Sequence, residues 1–196
     1  MSFRIEEKLS ISRESLLDFK VFLNKNSAKR IYNTRTVESL YFENNNLQMF
    51  NDSIEGLLPR KKIRIRNYPL EKKNTYALEY KISSVEGRYK TKKILKSFEV
   101  ENFINLGILD QQYGVCYPSI NIKFIRDYYL MNDVRITIDQ DIMYKKFTSK
   151  NKKNDHKIIV ELKAAITKDS DDLIKSFPMQ RTRFSKYCNG VTLLKI

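Results

Sequence analysis

The 196-residue sequence contains only five glycines, four prolines, two cysteines and one histidine. Each shortage closes off a class of chemistry. So little Gly and Pro leaves no flexible linker and no collagen-like segment. Cys116 and Cys188 are too few and too scattered for a disulfide framework or a zinc site. The single histidine, His156, lies in the polar stretch "TSKNKKNDHK" (148–157), which reads as a long hairpin loop. A histidine-rich metal site is excluded, and a Ser-His-Asp or Cys-His triad is disfavoured. Neither G-x-x-x-x-G-K-[ST] nor G-x-G-x-x-G occurs, so phosphate would not be cradled by a glycine-rich loop. No run of roughly eighteen apolar residues is present to span a bilayer. The start, "MSFRIEEKLS", lacks the apolar region of a signal peptide, so the expected location is the cytoplasm.

What the chain has in excess is positive charge. Thirty-seven Lys and Arg against 23 Asp and Glu give a net charge of +14, which calls for a polyanionic partner: nucleic acid, phosphate compounds or an acidic membrane. With 41% hydrophobic residues, the length suits one domain over residues 1–196 with a proper core.

Hydrophobic periodicity divides the chain into short strands with a few helices between them. Strands are expected over 3–11, 36–44, 60–68, 75–83, 87–95, 119–130, 133–141 and 157–165, with a hairpin around Met131 and Asn132. A helix over 12–25 would be capped by Ser12 and present Leu16, Phe19 and Leu23 on one face. Further helices are expected over 96–107 and at the C-terminal end, where "QRTRFSKYCN" would stop at Gly190. Without regular βα alternation, the fold class is α+β: a closed antiparallel β-barrel of about eight strands, with helices packed on its outside.

Six strands repeat one pattern. Lys62, Arg64 and Arg66 alternate with Ile63 and Ile65, so the cations share one face and the isoleucines the other. Glu6 with Lys8, Glu79 with Lys81, Arg88 with Lys90 and Lys92, Arg135 with Thr137 and Asp139, and Glu161 with Lys163 alternate likewise. Such faces either look into solvent around an apolar sandwich core, or line a wet lumen that hosts an anion. Arginine's planar fork suits phosphate oxygens, and interspersed acids suit a divalent metal. Residue pattern alone leaves both architectures open.

The stretches "SLYFEN", "KIRIRNY", "LEYK", "RDYY" with "RITIDQD", "VELK" and "RFSKY" occur in that order from about residue 3 to about residue 190. This set resembles the catalytic domain of the vacuolar transporter chaperone (VTC) polyphosphate polymerases, within the triphosphate tunnel metalloenzyme, or CYTH-like, superfamily. The resemblance implies a tunnel with a basic lumen that binds nucleoside triphosphate, ATP first, and inorganic polyphosphate. It also implies a divalent cofactor, Mn2+ or Mg2+. Matched motif by motif, Arg64, Arg66, Lys81, Arg126 and Arg135 look like the residues at the transferred phosphate. Lys8, Lys92, Lys163, Arg183 and Lys186 look like further substrate ligands, with Arg183 and Lys186 placed on one helical face. Glu161 resembles the family's metal-binding glutamate, with Glu6 and Glu79 as further metal or water ligands, or as orienting partners for Lys8 and Lys81.

One departure bears on activity. Triphosphatase branches of the superfamily begin with E-x-E-x-K, whereas Arg4, Glu6 and Lys8 stand here. One acid fewer favours transfer to polyphosphate over hydrolysis. The resemblance therefore implies a stand-alone, metal-dependent polyphosphate polymerase-type phosphotransferase. The alternatives are a tripolyphosphate or nucleoside triphosphate hydrolase using the same tunnel, and a non-catalytic polyphosphate or nucleic-acid binding module. Nucleic acid is disfavoured, because most aromatics fall on the apolar faces.

Overall fold

The computed structural model describes residues 4–71, 75–165, 169–175, 177 and 179–196. The side chain of Arg4, expected on the charged face beside Glu6, lies outside the described atoms. The elements in chain order are β1 (Arg4–Ile11), α1 (Ser15–Lys25), β2 (Lys29–Glu43), α2 (Gln48–Glu55), β3 (Arg60–Asn67), β4 (Tyr76–Ser84) and β5 (Gly87–Leu95). There follow α3 (Ser97–Leu106), β6 (Ile108–Asp110), β7 (Gly114–Met131), β8 (Val134–Lys146), β9 (Lys152–Asp155), β10 (Ile158–Ala165), α4 (Ser170–Lys175), β11 (Gln180–Arg181) and α5 (Lys186–Leu194). The expected α+β class is what forms.

Hydrogen bonding orders the strands β11-β1-β10-β8-β7-β2-β3-β4-β5, with β6 paired to β7 and β9 to β8. The pairings β1–β10, β10–β8, β2–β3, β3–β4 and β4–β5 are all antiparallel. Among the described residues this path has two ends, β11 and β5, so the sheet is not the closed barrel of about eight strands that was expected. Eleven strands rather than eight occur among the described residues, because alternation does not reveal pieces as short as β6 and β11, and because β9 arises inside the polar stretch read as a loop.

The chain divides into two compact units. Unit 1 comprises Met1–Thr36, Phe124–Ile142 and Asn154–Phe184, and unit 2 comprises Val37–Lys123, Met143–Lys153 and Ser185–Ile196. The core of unit 1 gathers Leu9, Ile11, Val134, Ile136, Ile138, Val160 and Leu162 from alternate strand positions. Helix α1 covers this side with Phe19 and Leu23, and burying two such side chains stabilises by about 2 kcal/mol each. The helix begins at Ser15, and the Ser12 hydroxyl accepts the Ser15 N–H at 3.2 Å. The β7–β8 hairpin turns at Asn132 and Asp133, one residue later than expected. Both have positive φ (47° and 61°), a conformation that Asn and Asp tolerate better than most residues.

The core of unit 2 gathers Phe42, Ile63, Ile65, Leu78 and Leu95 beneath Met49 of α2 and Val100 of α3. The Glu43 carboxylate ends β2 and starts α2, accepting the N–H groups of Met49 at 3.2 Å and Phe50 at 2.9 Å. Gly190 does not stop the last helix. It lies buried in the middle of α5, where a Cβ would come within 2.4 Å of Ile120 Cδ1 and 2.6 Å of Tyr144 Cδ1. Glycine is needed there for close approach.

Candidate functional site

In unit 2 the strand registers set the polar face. Arg64 stands opposite Tyr41 on β2 and Glu79 on β4, while Arg66 stands opposite Ser39 and Ala77. Lys62 faces Lys81, which in turn faces Lys90 on β5, and Glu79 faces Lys92. Directly opposed residues share a face, so these side chains form one row. Ile63 and Ile65 enter the core on the other side. The arginines are not solvated: Arg64 is 4% exposed and Arg66 8%. Both faces of β3 are buried.

Burying two guanidinium groups is unfavourable unless each finds partners. Arg64 donates from Nε at 2.8 Å and Nη2 at 2.5 Å to Glu79 Oε2, and from Nη1 at 2.9 Å to the Tyr41 hydroxyl. Lys90 pairs with the other Glu79 oxygen. Arg66 donates from Nε to Ser39 Oγ at 3.0 Å. Burial pushes the Glu79 carboxyl up, but Arg64, Arg66 and Lys90 outweigh it and hold it at about 2. Burial likewise raises the Tyr41 hydroxyl, and Arg64, Arg66 and Lys62 overcome this to set it below the usual tyrosine range. Lys81 is half-buried and Lys92 exposed.

Helix α5 lies on this polar face rather than outside. Tyr187 stacks on Tyr41 with ring centroids 5.1 Å apart, and Lys62 Nζ donates to Ser185 Oγ at 3.0 Å. The Tyr187 hydroxyl bonds the buried Glu43 carboxylate. Ser185 caps the helix, accepting the Cys188 N–H at 3.3 Å, so Lys186 is its first residue and Arg183 precedes it in non-helical chain. Arg183 and Lys186 therefore do not share a helical face.

In unit 1, Lys8 on β1 stands opposite Glu161 on β10, which stands opposite Thr137 on β8. Glu6, Lys163 and Arg135 form the next row. Lys163 Nζ lies 2.6 Å from Glu161 Oε1 and 4.0 Å from Glu6 Oε2. Lys8 Nζ lies 3.8 Å from Glu6 Oε1 and donates to the Phe184 carbonyl at 2.7 Å. Arg126 grips Asp139, itself fully buried, through Nε at 2.5 Å and Nη2 at 2.6 Å. Arg135 behaves differently: its buried Nε has no hydrogen-bond partner among the described residues, and neither does the Thr137 hydroxyl beside it. A buried N–H left unpaired costs about 1–3 kcal/mol, so it marks a position where an acceptor is wanted.

No three His, Cys, Asp or Glu side chains among the described residues converge as a ready-made metal cage. Glu6 and Glu161, both reaching Lys163, instead supply a pair of carboxylates on adjacent strands. Mg2+ and similar ions usually take one or two carboxylates and complete their shell with water and substrate phosphate, and this donor set fits that habit. Both Glu79 oxygens are engaged by Arg64 and Lys90.

The sequence model of the VTC domain family matches residues 3–114 and 111–195. The chain belongs to the VTC domain family. The resemblance read from the ordered motifs is thereby shown. Among solved structures, a Bacillus halodurans protein provisionally described as an adenylate cyclase superposes with a TM-score of 0.63 at 13% identity, covering 94% of each chain. A protein from Pyrococcus horikoshii follows with 0.61 at 14% identity, covering 99% of this chain and all of its own. A chain of the Schizosaccharomyces pombe Mediator head module gives 0.54 at 10% identity, covering 98% of this chain and 94% of that one. These likenesses show a shared fold. No curated protein matches this VTC chain significantly. No helix among the described residues is long and apolar enough to cross a membrane.

Several residues at these polar faces were not singled out from sequence. Tyr41 and Ser39 lie on the same alternation as the arginines and could have been found by it. Lys90 rather than Lys92 pairs with Glu79, although Lys92 is the direct register partner, because a lysine stem reaches diagonally across the ladder. Asp139 was visible in the alternation of "RITID", but its pairing with Arg126 was not.

Proposed function

We propose that this VTC domain is a metal-dependent phosphotransferase of polyphosphate polymerase type, moving the terminal phosphoryl group of a nucleoside triphosphate, ATP first, onto inorganic polyphosphate. The observation that carries this reading is the row Lys62–Arg64–Arg66: both arginines are buried, and with Lys81, Lys90 and Lys92 the cations of this face outnumber its acids, Glu79 and Glu43. An excess of positive charge gathered on one face favours a polyanion over any neutral ligand.

The transfer makes one P–O bond, from a terminal polyphosphate oxygen to the γ-phosphorus, and breaks the γ-phosphorus bond to the β–γ bridging oxygen, releasing nucleoside diphosphate. Such reactions ask the protein mainly for positioning and charge neutralisation. Arg64 is suited to this because Glu79 and Tyr41 hold its fork before any ligand arrives. Arg66, Lys81 and Lys92 add charge along the same face, and Arg135 offers its unpaired Nε–H to a phosphate oxygen. Lys8, Lys163, Arg183 and Lys186 are further phosphate ligands, and Arg126 acts while held by Asp139. Glu6 and Glu161 would hold Mn2+ or Mg2+, which neutralises charge on the transferring group when bound. Glu79 is an orienting partner of Arg64.

Incubation of the protein with ATP and Mn2+, resolved on a polyacrylamide gel, tests the reading. Long phosphate chains with ADP are expected. Orthophosphate and ADP without chains would instead mean a hydrolase, and unchanged ATP would mean a binding module.

A further inference from the structure

Within unit 1, four side chains form a ladder running from a solvent-facing ring to a half-buried arginine whose Nε is enclosed. Tyr32, near the start of β2, is 46% exposed. The Arg35 Cζ lies 4.7 Å from the Tyr32 ring centroid and 5.6 Å from that of Tyr128. Tyr32 meets Tyr128 edge-on, with centroids 5.4 Å apart and planes at 80°. On the far side the Arg135 Cζ lies 5.7 Å from the buried Tyr128 ring. The ladder ends at Arg135 Nε, the buried donor with no partner among the described residues.

Packing explains Tyr128 but not the two ends. A tyrosine ring kept half in water, with an arginine laid against it, is a flat surface on which a further π-system can stack. The opposite end is a cationic donor lacking an acceptor. A ligand that satisfies both carries an aromatic ring and an anionic group on one short connector, as a nucleoside triphosphate does.

We propose that the Tyr32–Arg35–Tyr128–Arg135 ladder is the nucleoside subsite. The base stacks against Tyr32 and Arg35 while a phosphate oxygen accepts from Arg135 Nε, and purines are preferred to pyrimidines for their larger stacking face. This rests on the phosphate-binding reading above and adds to it the part of the ligand that distinguishes ATP from tripolyphosphate. The base contact is stacking, without hydrogen-bond readout, so ATP and GTP are held alike.

The test is calorimetric titration of ATP, CTP and tripolyphosphate into wild type, Tyr32→Ala and Tyr32→Phe, with circular dichroism to verify folding. The ratio of ATP to tripolyphosphate affinity is expected to fall about tenfold in Tyr32→Ala and to be retained in Tyr32→Phe. Wild type is expected to bind ATP more tightly than CTP. An unchanged ratio in Tyr32→Ala, or an equal loss in Tyr32→Phe, overturns the stacking subsite while leaving phosphate binding intact. If wild type fails to bind tripolyphosphate at all, the underlying phosphate reading falls, and this inference with it.

Discussion

The polar faces of the two units follow the same alternation but balance their charges differently. In unit 2, Lys62, Arg64, Arg66, Lys81, Lys90 and Lys92 face only two acids, Glu79 and Glu43, among the described residues. In unit 1, Lys8, Lys163, Arg126 and Arg135 are interleaved with Glu6, Glu161 and Asp139. The first arrangement suits an anion directly; the second can also offer carboxylates to a cation. Unit 2 uses Glu79 to aim an arginine and Glu43 to hold α2 and Tyr187. Unit 1 ties Arg126 down with Asp139 and leaves Arg135 Nε unmatched, so burial alone does not say which arginine awaits a ligand.

The largest effect should come from removing an aiming acid. Glu79→Gln leaves Arg64 buried without its counter-charge and should lower stability by about 3–5 kcal/mol in urea denaturation. Its unit 1 counterpart, Arg126→Gln, strands Asp139 and should lose a similar amount. If either loss is below about 1 kcal/mol, the buried pair is not what holds that face. The acid limb adds a check. Because the folded Glu79 carboxyl sits at about 2, below its ordinary 4.5, its stabilisation is complete above 4.5 and is lost as pH falls through about 2.

Arg135→Gln sharpens the contrast within unit 1. Tripolyphosphate affinity should fall roughly 100-fold, by analogy with other lost charged contacts. Stability should change by less than about 1 kcal/mol, since only the stack on Tyr128 is lost. Equal damage to both would make Arg135 a structural residue like Arg126. In unit 2, Gly190→Ala pushes a methyl into Ile120 and Tyr144 and should cost about 1–3 kcal/mol, measured by thermal unfolding. The smallest change is expected for Glu161→Gln, with stability falling by about 1 kcal/mol because its partner Lys163 stays partly exposed. Its signature is instead that added Mn2+ no longer tightens tripolyphosphate binding.

Much of this was readable in the alternation of "KIRIR", "LEYK" and "VELK", because a two-residue period assigns faces before any pairing is known. Family membership was readable from motif order. Partnership was not: nothing local tells that Arg126 meets Asp139 thirteen residues on, or that Lys90 outreaches Lys92. The last helix was misplaced because "QRTRF" has helical-looking composition, whereas Ser185 starts the helix later and Gly190 serves packing. Barrel closure was a property of the expected family shape, and no strand pattern encodes which edges meet. The Tyr32 ladder was invisible because its members lie about a hundred residues apart.

The acid locked between Arg64 and Lys90 carries one more implication. Against burial, Glu79 is held ionised down to about 2 by Arg64, and Arg64 is raised above its ordinary value by Tyr41 and Glu79, so this ion pair keeps its charge across the physiological range. A terminal phosphate, by contrast, gains its second negative charge near pH 6. Any sensitivity to acidity of a phosphate held at Arg64 should therefore follow the titration curve of the ligand, with the guanidinium acting as a fixed electrode.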